Sequence, residues 1–382
     1  MSEIRVDSIG NESNTGGPVL SGITTFSGQQ YFIPPKGTTA ERPSDCPPGS
    51  IRFNTDSAHL EYWNGLVWLE FEASSVELGD QNASSGESRG GTGTRGVFAG
   101  GNAPSVTNTI QYVSISTLGN AVDFGGDLTQ TVYPGTGLSS RTRGIRGGGS
   151  TPGKTDTIDF VTIASTGDAT DFGNLTLAKS QVNAFSNQTR GIFAGGYTPT
   201  SQDVIEYITI ASAGVDAQDF GDLSSAAYTG AAASSSVRGV IFIGYSGGFV
   251  NTIDYVTIST TGNAQDFGDR TVSVYSPAVA FNATRAIWAG GRGGSQVNTI
   301  DFVTIATTGN AQDFGDLTLA RQAPSGASSP TRGLFAGGST PTDQNIIDFV
   351  TIPTTGNALD FGDMTTATTG AASFSNGHGG LS

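Results

Sequence analysis

Six arginines and six aspartates recur along the chain, and charged groups in that number are the first place to look for chemistry. The arginines are Arg95, Arg143, Arg190, Arg238, Arg285 and Arg332, spaced 47 or 48 residues apart. The aspartates open an Asp-Phe-Gly motif: Asp123, Asp171, Asp219, Asp266, Asp313 and Asp360. Arginines ringed around a channel could bind an acidic glycan. Paired carboxylates could cleave a glycosidic bond, one as acid and one as base or nucleophile. Runs such as Asp266-Phe267-Gly268-Asp269 could offer oxygens to calcium, but calcium loops carry a denser set of carboxylates and carbonyls. Every one of these residues belongs to a repeat, and no acidic pair stands in an insertion outside it. A residue present in every copy reads as architecture, because function resides in particular sites. Each arginine is therefore expected to pair with an aspartate of the Asp-Phe-Gly motif.

Little else is available for catalysis. The chain has one cysteine, Cys46, and two histidines, His59 and His378, too few for a zinc site or a His-based relay. Gly-Gly pairs follow apolar runs, but no Lys-Ser/Thr and no helix pattern follows them, so they are turns rather than phosphate loops. No catalytic residue, metal ligand or cofactor is expected. The net charge of −15 disfavours nucleic acid and anionic membrane surfaces as partners. No apolar run reaches membrane-spanning length, and the N-terminus lacks the apolar core of a signal peptide. The chain is expected to be made in a cytosol and to remain soluble.

The elements that position these residues are strands. Glycine is abundant, 56 of 382 residues, and charged residues are only 13%. That composition suits tight turns between strands. The phenylalanines of the second motif, Phe124, Phe172, Phe220, Phe267, Phe314 and Phe361, keep the same 47 or 48 spacing. A four-strand repeat of roughly 40–50 residues is the signature of a propeller blade. Each copy reads as four strands: the first and second as near 182–186 and 190–194 in one repeat, the third and fourth as near 253–258 and 264–268 in another. Thr-Gly-Asn turns join the third strand to the fourth. In the third strand Ile253 and Tyr255 point to one face, Val256 and Ile258 to the other. A strand apolar on both faces is sandwiched between neighbouring sheets. The expected fold is therefore all-β: a six-bladed β-propeller spanning 74–382, preceded by a small β-rich attachment region, 1–73. Leu78-Gly79-Asp80 reads as a lone fourth strand. The segment 370–375 reads as a lone first strand that completes the first blade, whose own first strand (82–89) is weak.

The Gly-Gly pair ending the second strand, with an aromatic in the third, resembles kelch-type and galactose-oxidase-like propellers. The regular Tyr and Trp of true kelch repeats are absent, and the single histidine of the repeat region leaves out the copper chemistry of galactose oxidase. The N-terminal part carries a different pattern: Arg42-Pro43, then Gly49-Ser50-Ile51-Arg52-Phe53-Asn54-Thr55-Asp56, then Leu60-Glu61-Tyr62-Trp63-Asn64-Gly65-Leu66-Val67-Trp68. It resembles a module of virion structural and tail-fibre proteins of marine phages that infect cyanobacteria, and the opening Ser2–Asp7 is similar to their starts. By itself it reads as an Asn-Gly hairpin between 60–63 and 66–68. The resemblance implies attachment to other virion proteins or to sister chains through this region, commonly as trimers, and a place in the virus particle.

The loops after the Gly pairs vary between repeats and should emerge at one end of the ring, where recognition resides on a rigid scaffold. Tyr197, Phe249 and Arg292 are the expected anchors, since aromatic residues and arginine dominate binding hot spots. The expected function is a non-enzymatic virion component, a tail fibre or surface appendage presenting a propeller for adhesion to a host surface or glycan, or for particle decoration. An internal tail connector is the alternative, and a glycan-active enzyme a third reading.

Overall fold

The computed structural model describes residues 34–57, 59–70 and 94–381. The expected strands at 78–80 and 82–89 and the opening segment 2–7 lie outside these. The chain divides into two compact units, Met1–Ser75 and Val76–Ser382.

In the first unit four short strands form one sheet: Lys36–Gly37, Ile51–Asn54, His59–Trp63 and Trp68–Glu70. The expected hairpin is present, but its second strand begins at Trp68. Asn64 holds the turn by accepting the backbone N–H groups of Leu66 and Val67 on its side-chain oxygen, both at 2.8 Å, and Gly65 takes φ +99°. The two faces reverse the usual order. Glu61 is fully buried and pairs with Arg42 and Arg52. The opposite face aligns Ile51, Phe53, Leu60, Tyr62 and Leu69 across the strands, and Ile51 and Leu60 remain 51% and 40% exposed.

Among the described residues the second unit holds six four-stranded antiparallel sheets, one per repeat. Sheet 2 is Gly137–Ser139, Arg143–Gly147, Thr157–Thr162 and Thr170–Asn174; sheet 3 is Asn183–Ser186, Arg190–Ala194, Gln202–Thr209 and Gln218–Ala227. Sheet 4 is Ala231–Ser234, Arg238–Phe242, Thr252–Thr257 and Gln265–Asp269; sheet 5 is Ala278–Phe281, Arg285–Ala289, Thr299–Thr304 and Gln312–Asp316. Sheet 6 is Ser325–Ser328, Arg332–Ala336, Ile346–Thr351 and Leu359–Asp363. Sheet 1 takes Arg95–Ala99, Thr109–Ser114 and Val122–Asp127, and its remaining strand is the C-terminal Ala372–Ser375, paired to Arg95–Ala99. The last segment of the chain thus completes the first sheet.

Burial follows the strand alternation. Val256 and Ile258 pack toward sheet 3 with Ile205 and Phe220. Ile253 and Tyr255 pack toward sheet 5 with Trp288 and Val303. Apolar burial between sheets is the main stabilising term. The phenylalanine of each Asp-Phe-Gly motif meets the third-strand aromatic of its own sheet edge to face, as Phe267 does with Tyr255 at 6.0 Å.

Polar links repeat between the sheets. The turn Asn or Asp of one sheet accepts a backbone N–H from the fourth strand of the sheet before it. Asn310 accepts from Asp269 at 3.1 Å, and Asn120 of sheet 1 accepts from Asp363 of sheet 6 at 3.0 Å. A second set lies on the inner strands, where a serine hydroxyl donates to the preceding inner strand's carbonyl. Ser234 donates to Ser186, Ser186 to Ser139, and Ser139 to Ser375, each at 2.7 Å. A third set runs through backbone just before the inner strands: Thr229 donates to Gln181, Ser276 to Thr229, Ala323 to Ser276 and Gly370 to Ala323. Reaching the neighbour requires positive φ: 58° at Gln181, 57° at Thr229, 50° at Ser276, 48° at Ala323 and 62° at Gly370. In sheet 2 the matching residue is Pro134, which has no N–H, and Gly135 donates to Gly370 instead.

Candidate functional site at the loop end

The six repeated arginines do not pair with the Asp-Phe-Gly aspartates. Each guanidinium lies over the third-strand aromatic of its own sheet, at 4.3 Å for Arg190 over Tyr207 and 4.6 Å for Arg95 over Tyr112. Each donates from Nη1 to a carbonyl at the end of the third strand in the next sheet. Arg95 reaches Ile163, Arg143 Ile210, Arg190 Ile258, Arg238 Ile305, Arg285 Ile352, and Arg332 of sheet 6 reaches Ile115 of sheet 1, at 2.7–3.1 Å. The reason is register. Arg190 lies opposite Thr209, whereas Asp219 lies opposite Glu206, three residues further along the same strand. The ring of Tyr207 fills the space between. Asp123, Asp171, Asp219, Asp266, Asp313 and Asp360 are all exposed, and Asp123 accepts the N–H of Gly125.

The buried polar position is a different one, in the middle of the third strand: Gln111, Asp159, Glu206, Asp254, Asp301 and Asp348. Each accepts hydrogen bonds from a Thr or Ser of the preceding sheet, as Asp301 does from Thr271 and Gln111 from Thr365. Four of the five acids also meet a buried cation: Arg146 with Asp159, Lys179 with Glu206, Arg270 with Asp301 and Arg321 with Asp348. Asp254 has only Ser224, whose N–H and hydroxyl both lie at 2.8 Å. Burial pushes its pKa above the usual carboxylate value. Among the described residues no three His, Cys, Asp or Glu side chains converge as a metal site requires, and no helix is long and apolar enough to cross a membrane.

The first strands of all six sheets line one cavity of about 130 Å³. His378 is buried at one end of it, against Phe281 at 5.1 Å between ring centroids. His378 Nε2 donates to the Ser139 carbonyl at 3.1 Å, and Nδ1 accepts the Gly380 N–H at 3.2 Å. Burial lowers the imidazole pKa to about 4.

The loops after the glycines gather at the other end of the inner strands. There Tyr197 meets Tyr228 at 5.0 Å, Tyr228 meets Tyr245 at 5.1 Å, and Tyr245 meets Phe249 at 5.8 Å. Phe249 stacks on Tyr275 at 5.4 Å and 15°. Five rings form one unbroken arc over sheets 3, 4 and 5. Backbone bridges fix it. Tyr228 pairs with Tyr245, Tyr245 with Phe249, and Tyr275 with Arg292. The glycines make those bridges accessible. Gly290 sits at φ +67°, and a Cβ there would lie 2.6 Å from the Arg321 carbonyl. Two cations bracket the arc. Lys154 Nζ lies 4.7 Å from the Tyr197 ring centre, and Arg292 adjoins Tyr275. Phe249 is 45% exposed. Burial raises the phenol pKa of Tyr228, and the neighbouring phenols of Tyr245, Tyr197 and Tyr275 add to that shift. Burial likewise raises that of Tyr133, with Asp343 and Tyr275 beside it.

Tyr197, Phe249 and Arg292, singled out from the variable loops, thus share one surface. Tyr133, Tyr228, Tyr245, Tyr275 and Lys154 were missed. The signal for three of them is in the repeat itself, since Tyr133, Tyr228 and Tyr275 occupy one repeat position, 95 and then 47 residues apart.

No family model matches the chain, and no curated protein does.

Proposed function

We propose that the chain is a non-enzymatic component of a virus particle, a tail fibre or surface appendage, in which a six-bladed β-propeller presents its loop end to a glycan on a host surface. The observation that carries the binding part is the arc of five aromatic rings. Half-exposed rings with hydroxyls at their edges offer apolar faces and hydrogen-bonding groups together, as a ligand site needs.

Closure into a propeller is supported by links that recur from sheet 6 to sheet 1 in the same form as between other neighbours: Arg332 to Ile115, Asp363 to Asn120 and Thr365 to Gln111. A closed ring leaves few open sheet edges. The N-terminal unit is the attachment region in this reading, to other virion proteins or to sister chains as a homo-oligomer such as a trimer. Its exposed apolar row of Ile51, Leu60 and Leu69 is a surface that such a contact would cover. Placement in a particle rests on the resemblance of residues 34–71 to phage virion modules.

The test is electron microscopy of purified particles labelled with an antibody against residues 80–382. Label at fibre tips or on the particle surface is the expected result. Label that appears only after particles are disrupted would overturn the adhesion reading and make the protein an internal tail connector.

A further inference from the structure

We infer that the ligand of the aromatic arc is a linear anionic polysaccharide, carrying uronate carboxylates or sulfate esters, engaged by Lys154 and Arg292 at the two ends of the arc. This rests on the proposal that the loop end binds glycan.

Residues 94–381 contain thirteen arginines and lysines. The six repeated arginines donate to carbonyls of neighbouring sheets. Arg141 donates to the Leu381 carbonyl at 2.6 Å. Arg146, Lys179, Arg270 and Arg321 pair with buried carboxylates. Among the described residues of this unit, only Lys154 and Arg292 lack both a hydrogen bond and an ion pair from the side chain. Both are exposed, and both flank the one aromatic row. In a chain of net charge −15, two uncommitted cations on one surface mark where an anion is accepted. A planar guanidinium offers a paired fork to a carboxylate or sulfate. The ammonium supplies a point charge beside the Tyr197 face.

The arc also favours an extended ligand over a compact one. Its rings step by 5.0–5.8 Å over sheets 3 to 5, close to the repeat of a pyranose chain, and the cations lie at opposite ends. One carboxylate, Asp343, lies near Tyr133, which is not one of the five rings.

The experiment is a binding assay with the full chain. The probes are neutral glucan oligomers, polyuronate oligomers, sulfated galactan oligomers and poly-glutamate. The variants are Lys154→Gln, Arg292→Gln and Phe249→Ala, all at exposed positions, each checked for an unchanged melting curve. Polyuronate or sulfated galactan should bind, and added salt should weaken it. Lys154→Gln and Arg292→Gln should each weaken it by about tenfold, and Phe249→Ala should weaken it without changing the salt dependence. Neutral oligomers bound equally well, and indifferent to both charge variants, would overturn the anionic assignment while leaving glycan binding intact. Poly-glutamate bound as tightly as the glycans would overturn it in favour of an acidic peptide. If no glycan binds, the loop-end reading fails and this inference fails with it.

Discussion

Asp254 shows how one side chain can break a pattern that its equivalents keep. Asp159, Glu206, Asp301 and Asp348 have cations beside them, yet those cations come from different places in the repeat. Arg146 sits in a second strand, Arg270 just after a fourth, and Lys179 and Arg321 just before a first. In the surroundings of Asp254 the matching positions are Ile241, Leu223 and Ala227. A buried carboxylate without a cation is costly when ionised, and its pKa is raised by that burial. The sign follows. A raised folded-state pKa means that the native state holds the proton more tightly than the unfolded chain. Stability is then fully present below the unfolded carboxylate pKa and is lost as pH rises through the folded value. Asp254→Asn keeps an acceptor for Ser224 and removes the ionisation. It should raise stability at neutral pH by about 1 kcal/mol, and the two proteins should converge in acid below the ordinary carboxylate range. Melting temperature against pH checks this, and equal stability at neutral pH would contradict it.

At the level of elements, the short segments before the inner strands exchange backbone strain for contact. Gln181, Thr229, Ser276 and Ala323 adopt the left-handed conformation that L-residues avoid. At Thr229, Ser276 and Ala323 the N–H then reaches a carbonyl of the neighbouring sheet, and Gln181 supplies the carbonyl that Thr229 reaches. Sheets 6 and 1 offer a paired comparison. Ala323→Gly relieves the strain at φ 48° and should be neutral or stabilising by up to about 1 kcal/mol. Gly370→Ala at the equivalent place puts a Cβ 2.7 Å from the Tyr133 ring and should destabilise by roughly 1–3 kcal/mol. Denaturant titration of the two variants separates these outcomes, and a loss of stability in Ala323→Gly larger than in Gly370→Ala would refute the account. The repeat period and the both-faces-apolar third strand were readable in the sequence because each depends on local alternation. The partners of the arginines were not. They depend on register across two strands, and a shift of three residues redirected Arg190 from Asp219 to Ile258.

The whole molecule depends on its last residues. Ala372–Ser375 completes sheet 1, Ser375 donates to the Ser328 carbonyl of sheet 6 at 2.5 Å, and His378 lines the cavity between the first strands. If the sheets form a closed ring, removal of residues 372–382 should lower the cooperativity and melting temperature of the entire unit, not only of sheet 1. A synthetic peptide spanning 371–381 should restore part of the loss. An open stack would behave otherwise, because repeats that contact only their neighbours lose stability locally. Calorimetry of the truncated chain with and without the peptide distinguishes the two.

What the sequence by itself determined is what repeats: an all-β chain in six copies, strands buried on both faces, and a C-terminal segment that completes the first sheet. Those features follow from periodicity and side-chain alternation, which need no knowledge of neighbours. The tertiary structure decided what lies between copies. Tyr197, Tyr228, Tyr245, Phe249 and Tyr275 belong to two different places in three repeats, and only the placing of sheets 3 to 5 side by side makes them one arc. It likewise decided which cations of residues 94–381 are committed to buried carboxylates and neighbouring carbonyls, and which two of them, Lys154 and Arg292, are left without such partners.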